Sequence, residues 1–370
     1  MIDTQHVKRI VIKLGTSTLT RDDGPPDGEF IDQIAADVAD QTRGGRSVVL
    51  VSSGAIRAGM FGLALEGRPR TIPQKQAAAA VGQRILMDTY ARSFAKQGLN
   101  VGQVLLTRED FRQRSRYMNV KNTFQALLKY GAIPIVNEND TVSTDEIKFG
   151  DNDTLAALVA SLIEANLLLL LSDVAGLYDR NPTEFSDANL ISRVDKIDRR
   201  IEQLAGEPST DMGTGGMITK IRAAKICVSA GIDTIIADGR HANVIAESIC
   251  GTSGTRFVAG ARTLRQRQQW VVHGGAVKGS VTVDDGAKER ILNGGKSLLA
   301  AGILSVQGEF GSGDLVRVAD RGGTKFAKGL TNYASTEIER ILGKKSLEIA
   351  SLLGKKCPDE VIHRNNLVLD

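Results

Sequence analysis

Two lysines in this chain of 370 residues each belong to a glycine-containing loop that could bind a phosphate group. Lys13 lies near the end of the apolar run 9–14 and precedes Gly15, while Lys220 closes the segment GTGGMITK at 213–220. Backbone N–H groups at the start of a helix bind anions, and lysine ammonium groups neutralise phosphate charge. The two loops therefore indicate phosphate chemistry.

Four further polar segments follow predicted strands or open predicted helices. They are SSGA at 52–55, NEND at 137–140, GDND at 150–153 and SD at 172–173. Each has an ordinary explanation when taken alone, because Ser53-Gly54 could form a turn and Asn152 or Asp153 could cap a helix. In a parallel sheet, however, the residues that follow successive strands converge on one edge. Together, the segments favour a phosphate-handling site.

The positions of the histidines constrain the acceptor of the phosphoryl group. All four lie outside the polar segments, at positions 6, 241, 273 and 363. Phosphorylation of an alcohol usually needs a general base, whereas a side-chain carboxylic acid with a pKa of about 4.3 is already ionised at neutral pH. The site therefore favours an acid, a carbamate or a phosphate as acceptor, although Asp140 or Asp153 could still act as a base.

Strand and helix patterns alternate up to about residue 260. Helical periodicity follows Glu29 and Gly216, and the continuous apolar runs between helices are typical of strands covered on both faces. The pattern predicts an α/β domain with a mainly parallel sheet. No GxxxxGK(S/T) loop is present and no GxGxxG follows the first strand, which argues against Walker-type and dinucleotide-binding domains. The predicted strands are Arg9–Leu14, Ser47–Ser53, Val101–Thr107, Ala132–Asn137, Leu167–Ser172 and Thr234–Ala237.

A second, smaller domain is predicted at the C-terminus. Residues 1–260 form the predicted α/β domain, 261–278 a basic connector, and 279–370 a small, mostly β, barrel-like domain with glycine-rich turns. The strands predicted in the second domain are Ser280–Val283, Ile303–Gln307 and Asp314–Ala319.

Composition narrows the class of protein further. Hydrophobic residues make up 42% of the chain and charged residues 24%, with a formal net charge of +4; this is typical of a globular protein and does not indicate nucleic acid binding. No apolar run approaches the roughly 20 residues of a membrane-spanning helix. Cys227, Cys250 and Cys357 are widely spaced and form no CxxC pair. They favour a reducing, cytoplasmic location and argue against a zinc site.

The polar segments and their surroundings resemble those of the amino-acid kinase family, over essentially the whole chain. The NEND and GDND segments resemble the glutamate-phosphorylating branch more than the aspartokinase or N-acetylglutamate kinase branches. The fold implied is a three-layer αβα sandwich with a mainly parallel sheet, followed by a small, mostly β, PUA barrel domain. The matching segments are VIKLGTSTL (11–19), SSGAI (52–56), KQAAAAVGQ (75–83), VGQVLLT (101–107), PIVNENDTVST (134–144), IKFGDNDTLAALVA (147–160), LLLLSDVAGLY (168–178) and GTGGMITKIRAA (213–224).

The resemblance implies that ATP phosphorylates the γ-carboxylate of L-glutamate, giving L-glutamyl 5-phosphate and ADP in the first step of proline biosynthesis. It implies that Lys13 and Lys220 are catalytic at the transferred phosphoryl group, and that Asp153 positions them by its charge. The implied glutamate-binding residues are Ser53, Gly54, Asn137, Asp140 and Asn152. The implied ATP-binding residues are Lys13, Ser172, Asp173, Thr214, Gly215, Gly216, Met217, Ile218, Thr219 and Lys220.

Further expectations follow from the same resemblance. Mg²⁺ would bind to the ATP phosphates with no metal ligand from the protein, proline would inhibit the enzyme, and the chain would form a homodimer or homotetramer. The sequence departs from the family pattern at three positions. Ser52 and Ser172 stand where threonine is common and keep the hydroxyl, whereas Ile218 stands where serine is common and loses it.

Two other interpretations stay open on the sequence alone. One is a family member that acts on carbamate, N-acetylglutamate or a nucleoside monophosphate; the other is an RNA-binding or regulatory protein with an inactive kinase domain. PUA domains elsewhere bind RNA, but here the charge from residue 276 onward is nearly balanced and Phe310, Phe326 and Tyr333 suit a core. We therefore favour a structural or regulatory role for this domain over RNA binding.

Overall fold

The computed structural model describes residues 7–20, 24–143, 151–205, 216–260, 277–344, 346–354 and 358–369. The chain forms two compact units. The first consists of residues 1–108 and 119–263, and the second of residues 109–118 and 264–370. Most of the predicted connector, residues 261–276, lies outside the described residues.

The first unit is built around a sheet of eight strands, in the order β3-β4-β2-β1-β5-β7-β8-β6. The first six strands in this order, β3-β4-β2-β1-β5-β7, are parallel to one another, whereas β8 pairs antiparallel with β7. The predicted mainly parallel sheet is therefore confirmed. The strands are β1 (Arg9–Leu14), β2 (Ser47–Val51), β3 (Val101–Leu106), β4 (Ile133–Glu138), β5 (Leu167–Ser172), β6 (Arg193–Val194), β7 (Asp233–Asp238) and β8 (Thr255–Phe257).

Helices connect the strands of this sheet. Those of the first unit are α1 (Thr16–Leu19), α2 (Gly28–Arg43), α3 (Ala55–Gly62), α4 (Ile72–Ala95), α7 (Asn152–Leu162), α8 (Arg199–Leu204), α9 (Met217–Ser229) and α10 (Val244–Cys250). Between β3 and β4 the chain forms α5 (Arg108–Arg112) and α6 (Arg114–Lys129).

The side chains of each strand alternate between two helical layers. Ile10, Ile12 and Leu14 of β1 belong to a buried cluster that includes residues of α2, α4 and α10. The intervening Val11 and Lys13 lie on the opposite face, where α7 and α9 pack against each other and against β5. Helices thus cover both faces, as the three-layer prediction requires. Lys13 faces the layer that contains α7 and α9.

Helices α3 and α4 touch through two glycines. A Cβ atom at Gly59 would lie 1.7 Å from the carbonyl oxygen of Ala78, and one at Gly82 would lie 1.8 Å from that of Ala55. Both distances are far shorter than van der Waals contact, so the two backbones can approach this closely only because glycine has no side chain. The contact fixes α4 beside the loop that opens α3.

The second unit contains a five-stranded sheet in the order β11-β9-β12-β13-β15 and a separate pair, β10 with β14. Among the described residues, three helices and two short 3₁₀ turns accompany them, so the predicted mostly β domain is confirmed, with helices that the pattern did not predict. The elements are β9 (Val277–Val283), α11 (Asp285–Leu292), β10 (Leu298–Leu299), a 3₁₀ turn (Ala300–Gly302), β11 (Ile303–Gln307), β12 (Leu315–Ala319), β13 (Lys325–Leu330), α12 (Ser335–Ile341), α13 (Ser346–Leu353), β14 (Glu360–Ile362), a 3₁₀ turn (Arg364–Asn366) and β15 (Leu367–Leu369).

The three aromatic residues singled out in the second domain contribute to its core. Phe310 and Tyr333 are buried in the core cluster, and Phe326 is partly buried against it. Since none of the three forms an exposed stacking platform, the prediction that they serve the core is consistent with the structure.

Candidate active site

A buried cluster of charges joins Lys13, Asp153 and Lys220. The Nζ atom of Lys13 lies 2.7 Å from Oδ1 of Asp153, and the Nζ atom of Lys220 lies 3.4 Å from Oδ2 of the same carboxylate. Lys13 comes from β1, Asp153 from the first turn of α7, and Lys220 from the first turn of α9. The parallel sheet therefore brings together three side chains that are widely separated in the sequence.

Asp153 is fully buried and is held by three neighbouring groups. Besides the two lysines, the hydroxyl of Thr219 donates a hydrogen bond of 2.7 Å to its Oδ2. Burial alone would raise the pKa of Asp153, but the charges of Lys13 and Lys220 and the hydrogen bonds lower this pKa to about 2. A carboxylate this acidic is a poor general base near neutral pH, so its geometry suits the positioning of the lysines.

Within the triad, positive charges outnumber negative ones by two to one, and the carboxylates of Asp173 and Asp151 also interact with Lys220 and Lys13. Two ammonium groups share one carboxylate, and burial lowers the pKa of Lys220 even though Asp153 opposes that change. Two buried ammonium groups on one carboxylate favour the binding of a further anion beside them, because burial of positive charge away from water costs free energy. The arrangement is therefore suited to an anionic ligand such as a phosphoryl group.

The cap of helix α7 differs from the sequence expectation. Asp151 provides it, because Oδ1 of Asp151 accepts a hydrogen bond of 2.6 Å from the backbone N–H of Thr154. Asn152 and Asp153, which the sequence offered as candidate caps, are already helical. Since Asp151 accepts the hydrogen bond from the backbone at the start of the helix, the side chains of Asn152 and Asp153 are available for other contacts.

The side chain of Asn152 connects two loops at the carboxyl edge of the sheet. Its Nδ2 donates to the carbonyl oxygen of Ser52 at 2.8 Å, to Oγ of Ser53 at 3.0 Å and to Oδ1 of Asn137 at 3.0 Å. Gly54 follows with a positive φ of 86°, a conformation that favours glycine, and directly precedes α3, whose start has no side-chain cap. Four of the five predicted glutamate-binding residues are thus brought together.

The fifth, Asp140, lies in the turn after β4, three residues beyond Asn137, and is half-buried. The same turn is anchored at Ser143, whose hydroxyl donates to Oε1 of Glu138 at 3.2 Å. Gly150, which belongs to the predicted GDND segment, lies outside the described residues.

Apart from Lys13 on β1, the described residues that were predicted to bind ATP lie at the end of β5 and at the start of α9. The hydroxyl of Ser172 donates to Oδ1 of Asp173 at 3.0 Å, and the charge of Asp173 acts on Lys220. Gly216 precedes α9 without a side-chain cap, so the first N–H groups of this helix can bind an anion. Met217 and Ile218 are half-buried in its first turn, whereas Thr214 and Gly215 lie outside the described residues.

The sequence interpretation missed the contribution of helix α4 to this region. Gln83 accepts a hydrogen bond of 2.8 Å from Nδ2 of Asn137, and the hydroxyl of Tyr90 lies 2.9 Å from that of Ser52. Both residues stand in a helical pattern rich in alanine, where a core or solvent-facing role is the usual assumption. Their spacing of seven residues was the available signal, because it places both on one side of the helix.

Among the described residues, no group of three or more histidine, cysteine, aspartate or glutamate side chains is arranged to hold a metal ion. None of the helices described combines the length and apolar character needed to cross a bilayer.

Comparison with known families identifies the class of protein. Residues 8–238 match the model of the amino acid kinase family, and residues 279–353 match that of the PUA domain. The first match covers more than half of the chain, so the chain belongs to the amino acid kinase family. The resemblance inferred from the sequence motifs is confirmed.

Individual relatives within this family are similar to the chain over nearly its whole length. Glutamate 5-kinase of Geobacter sulfurreducens is 48% identical over 364 residues, which cover 98% of this chain and 98% of that protein. Glutamate 5-kinase of Thermoanaerobacter sp. is 46% identical over 362 residues, covering 98% and 97%. The structure of carbamate kinase from Giardia lamblia bound to AMP-PNP matches with a TM-score of 0.51 at 15% identity, covering 69% of this chain and 99% of that one, and this likeness concerns the fold alone.

Proposed function

We propose that this chain is an ATP-dependent kinase that phosphorylates the γ-carboxylate of L-glutamate. The products are L-glutamyl 5-phosphate and ADP, and the reaction is the first step of proline biosynthesis. The relatives named glutamate 5-kinase, which align with nearly the whole chain, support this acceptor. The observation that carries the proposal is the buried cluster of Lys13, Asp153 and Lys220, next to the amide cluster of Asn137 and Asn152.

The reaction needs no base in this site. A γ-carboxylate oxygen attacks the γ-phosphorus of ATP, the bond from that phosphorus to the β,γ-bridging oxygen breaks, and ADP leaves with the electron pair. No proton is transferred, because the γ-carboxylate is already ionised at neutral pH. The main obstacle is repulsion between two anions, and fixed positive charge reduces it.

The proposed catalytic roles follow from this requirement. Lys13 and Lys220 offset the negative charge on the transferred phosphoryl group and on the ADP that leaves. Asp153 positions both ammonium groups and does not accept a proton. Its buried carboxylate contacts both lysines, which supports this role.

The proposed glutamate pocket consists of the loop around Ser53 and Gly54, together with Asn137, Asp140 and Asn152. The carboxylate of Asp140 would pair with the α-ammonium group of glutamate. The uncapped start of α3 supports anion binding by its backbone N–H groups next to Gly54.

The proposed ATP site consists of Lys13, Ser172, Asp173 and the loop 214–220, in which Gly216, Met217, Ile218, Thr219 and Lys220 are described. We propose that Mg²⁺ enters bound to the ATP phosphates, whose oxygens suit this ion. When bound, it would neutralise part of the phosphate charge. The two ammonium groups that already contact the carboxylate of Asp153 fit a metal ion carried by the nucleotide better than one bound within the cluster.

Several wider properties belong to the same proposal. We propose a kinase domain at 1–260, a connector at 261–278 and a PUA domain at 279–370, feedback inhibition by proline, and assembly into a homodimer or homotetramer. The separated cysteines support a cytoplasmic location. For the PUA domain we propose a structural or regulatory role; its buried Phe310 and Tyr333 support this over RNA binding.

A trapping assay tests the acceptor. Incubation with ATP, Mg²⁺, glutamate and hydroxylamine should yield γ-glutamyl hydroxamate, and the same mixture with N-acetylglutamate in place of glutamate should not. Parallel assays of ADP formation with carbamate and with UMP test the other acceptors of this family. Turnover of one of these compounds without turnover of glutamate would overturn the proposal.

A further inference from the structure

Among the polar side chains of helix α4, those of Gln76, Gln83 and Tyr90 follow one another at intervals of seven residues. Seven residues make about two helical turns, so the three groups lie along one side of the helix. Each forms a hydrogen bond to a different segment around the proposed acceptor pocket. We name this set the α4 polar stripe.

The middle member of the stripe holds Asn137. Oδ1 of Asn137 accepts a hydrogen bond of 2.8 Å from the backbone N–H of Glu138, which can only donate, so the orientation of this amide is fixed. The Nδ2 group of Asn137 then points to Oε1 of Gln83 at 2.8 Å. Gln83 therefore supports Asn137 from the side of α4.

Asn137 in turn fixes the amide of Asn152. The two hydrogens on Nδ2 of Asn152 are shared among three acceptors, which are Ser52 O, Ser53 Oγ and Asn137 Oδ1. The other hydrogen-bonding atom of this side chain is its Oδ1, which can only accept. A hydrogen bond between this oxygen and a ligand is therefore one that Asn152 accepts, which suits an ammonium group.

The two ends of the stripe hold the neighbouring loops. The hydroxyl of Tyr90 lies 2.9 Å from Oγ of Ser52, and Ser52 also provides the carbonyl oxygen that Asn152 contacts. Nε2 of Gln76 donates to the carbonyl oxygen of Ser143 at 3.1 Å. The contact between α3 and α4 at Gly59 and Gly82 keeps the helix at this distance from the loops.

We propose that the α4 polar stripe positions the acceptor pocket, and that Gln83 is its central positioning residue. Gln83 holds the Asn137 amide, so that Asn152 turns its oxygen toward the α-ammonium group of the acceptor. Tyr90 holds the Ser52–Ser53 loop in the same way. This inference rests on the proposed assignment of Asn137 and Asn152 to glutamate binding.

The central test replaces Gln83 by methionine, which has a similar volume and no amide. Loss of one hydrogen bond to Asn137 should raise KM for glutamate about tenfold, while KM for ATP stays within about twofold. The matched control is Gln33→Met at an exposed position of α2, which should leave both constants unchanged.

A double-mutant cycle separates positioning from general damage to the fold. If Gln83 acts through Asn137, adding Gln83→Met to Asn137→Ala should raise KM for glutamate by less than about twofold further. An independent tenfold effect in that background would overturn the proposal, as would an equal rise in KM for glutamate and for ATP.

Tyr90→Phe is a second variant that removes only a hydroxyl. It tests whether the α4 polar stripe positions the acceptor pocket even if Gln83→Met fails to fold. It should raise KM for glutamate about threefold, with the exposed Tyr130→Phe as control. An unchanged KM for glutamate in Tyr90→Phe would contradict the role of the stripe. A wild-type protein that does not turn over glutamate would instead defeat the proposed function itself.

Discussion

Replacement of Asp153 by asparagine tests the charge cluster most severely. The change keeps the size of the side chain but leaves Lys13 and Lys220 buried without their shared carboxylate. A pKa of about 2 for Asp153, against an ordinary value of 3.8, corresponds to about 2 kcal/mol of favourable interaction with its surroundings. Breaking a buried ion pair costs about 3–5 kcal/mol in other proteins. We therefore expect the free energy of unfolding to fall by about 2–4 kcal/mol.

The Asp153→Asn substitution should lower kcat as well as stability. Without Asp153 the two ammonium groups lose their fixed positions, and a misplacement of about 1 Å can cost on the order of 10² in rate. The assay combines urea unfolding with measurement of kcat on the same preparation. Asp187→Asn, which breaks an exposed pair with Arg180, serves as control and should cost less than about 0.5 kcal/mol.

The pH dependence provides a further check on the same variant. Because the folded-state pKa of Asp153 lies below its ordinary value, the stability it contributes is fully present above pH 3.8 and is lost as the pH falls toward about 2. Wild type and Asp153→Asn should therefore converge in stability within that window. Equal unfolding free energies at pH 7, or a kcat within about twofold of wild type, would refute the role given to this cluster.

Three other substitutions test separate parts of the structure. Lys220→Ala should lower kcat by a factor on the order of 10² to 10³, because one fixed charge beside the phosphoryl group is lost; steady-state kinetics with saturating ATP will measure this. Gly82→Ala places a Cβ 1.8 Å from the carbonyl oxygen of Ala55 and should destabilise the fold by about 1–3 kcal/mol or more in urea unfolding, whereas Gly28→Ala meets no atom within 4 Å and should not. Gly54→Ala, at a φ of 86°, should cost about 1–2 kcal/mol of stability and raise KM for glutamate.

The sequence predicted the sheet well because its strands are continuous apolar runs between glycine and polar segments. The predicted bounds of Arg9–Leu14 and Leu167–Ser172 are those of β1 and β5. The convergence of Lys13 and Lys220 followed from one topological rule, since both come from the carboxyl edge of a parallel sheet. The short strands β6 and β8 were not predicted, because two or three residues are too few to show a recognisable apolar run.

The contacts that complete the site were harder to foresee. Gln83 and Asn137 are 54 positions apart, and Tyr90 and Ser52 are 38 apart. Periodicity along one helix places Gln83 and Tyr90 on a common side, but it does not indicate which loop they will meet. The cap at Asp151 was missed for a different reason, since GDND offers three adjacent candidates and only the backbone angles select one.

The most direct test of phosphoryl transfer to the γ-carboxylate follows an oxygen atom. L-Glutamate labelled with ¹⁸O in its γ-carboxylate is incubated with unlabelled ATP, Mg²⁺ and hydroxylamine, and the released phosphate is analysed by mass spectrometry. Hydroxylamine attacks the acyl carbon, so the phosphate retains the oxygen that bridged it to glutamate. We predict one ¹⁸O atom in each phosphate formed with the hydroxamate. Unlabelled phosphate, or ATP consumption without hydroxamate, would contradict transfer to this carboxylate.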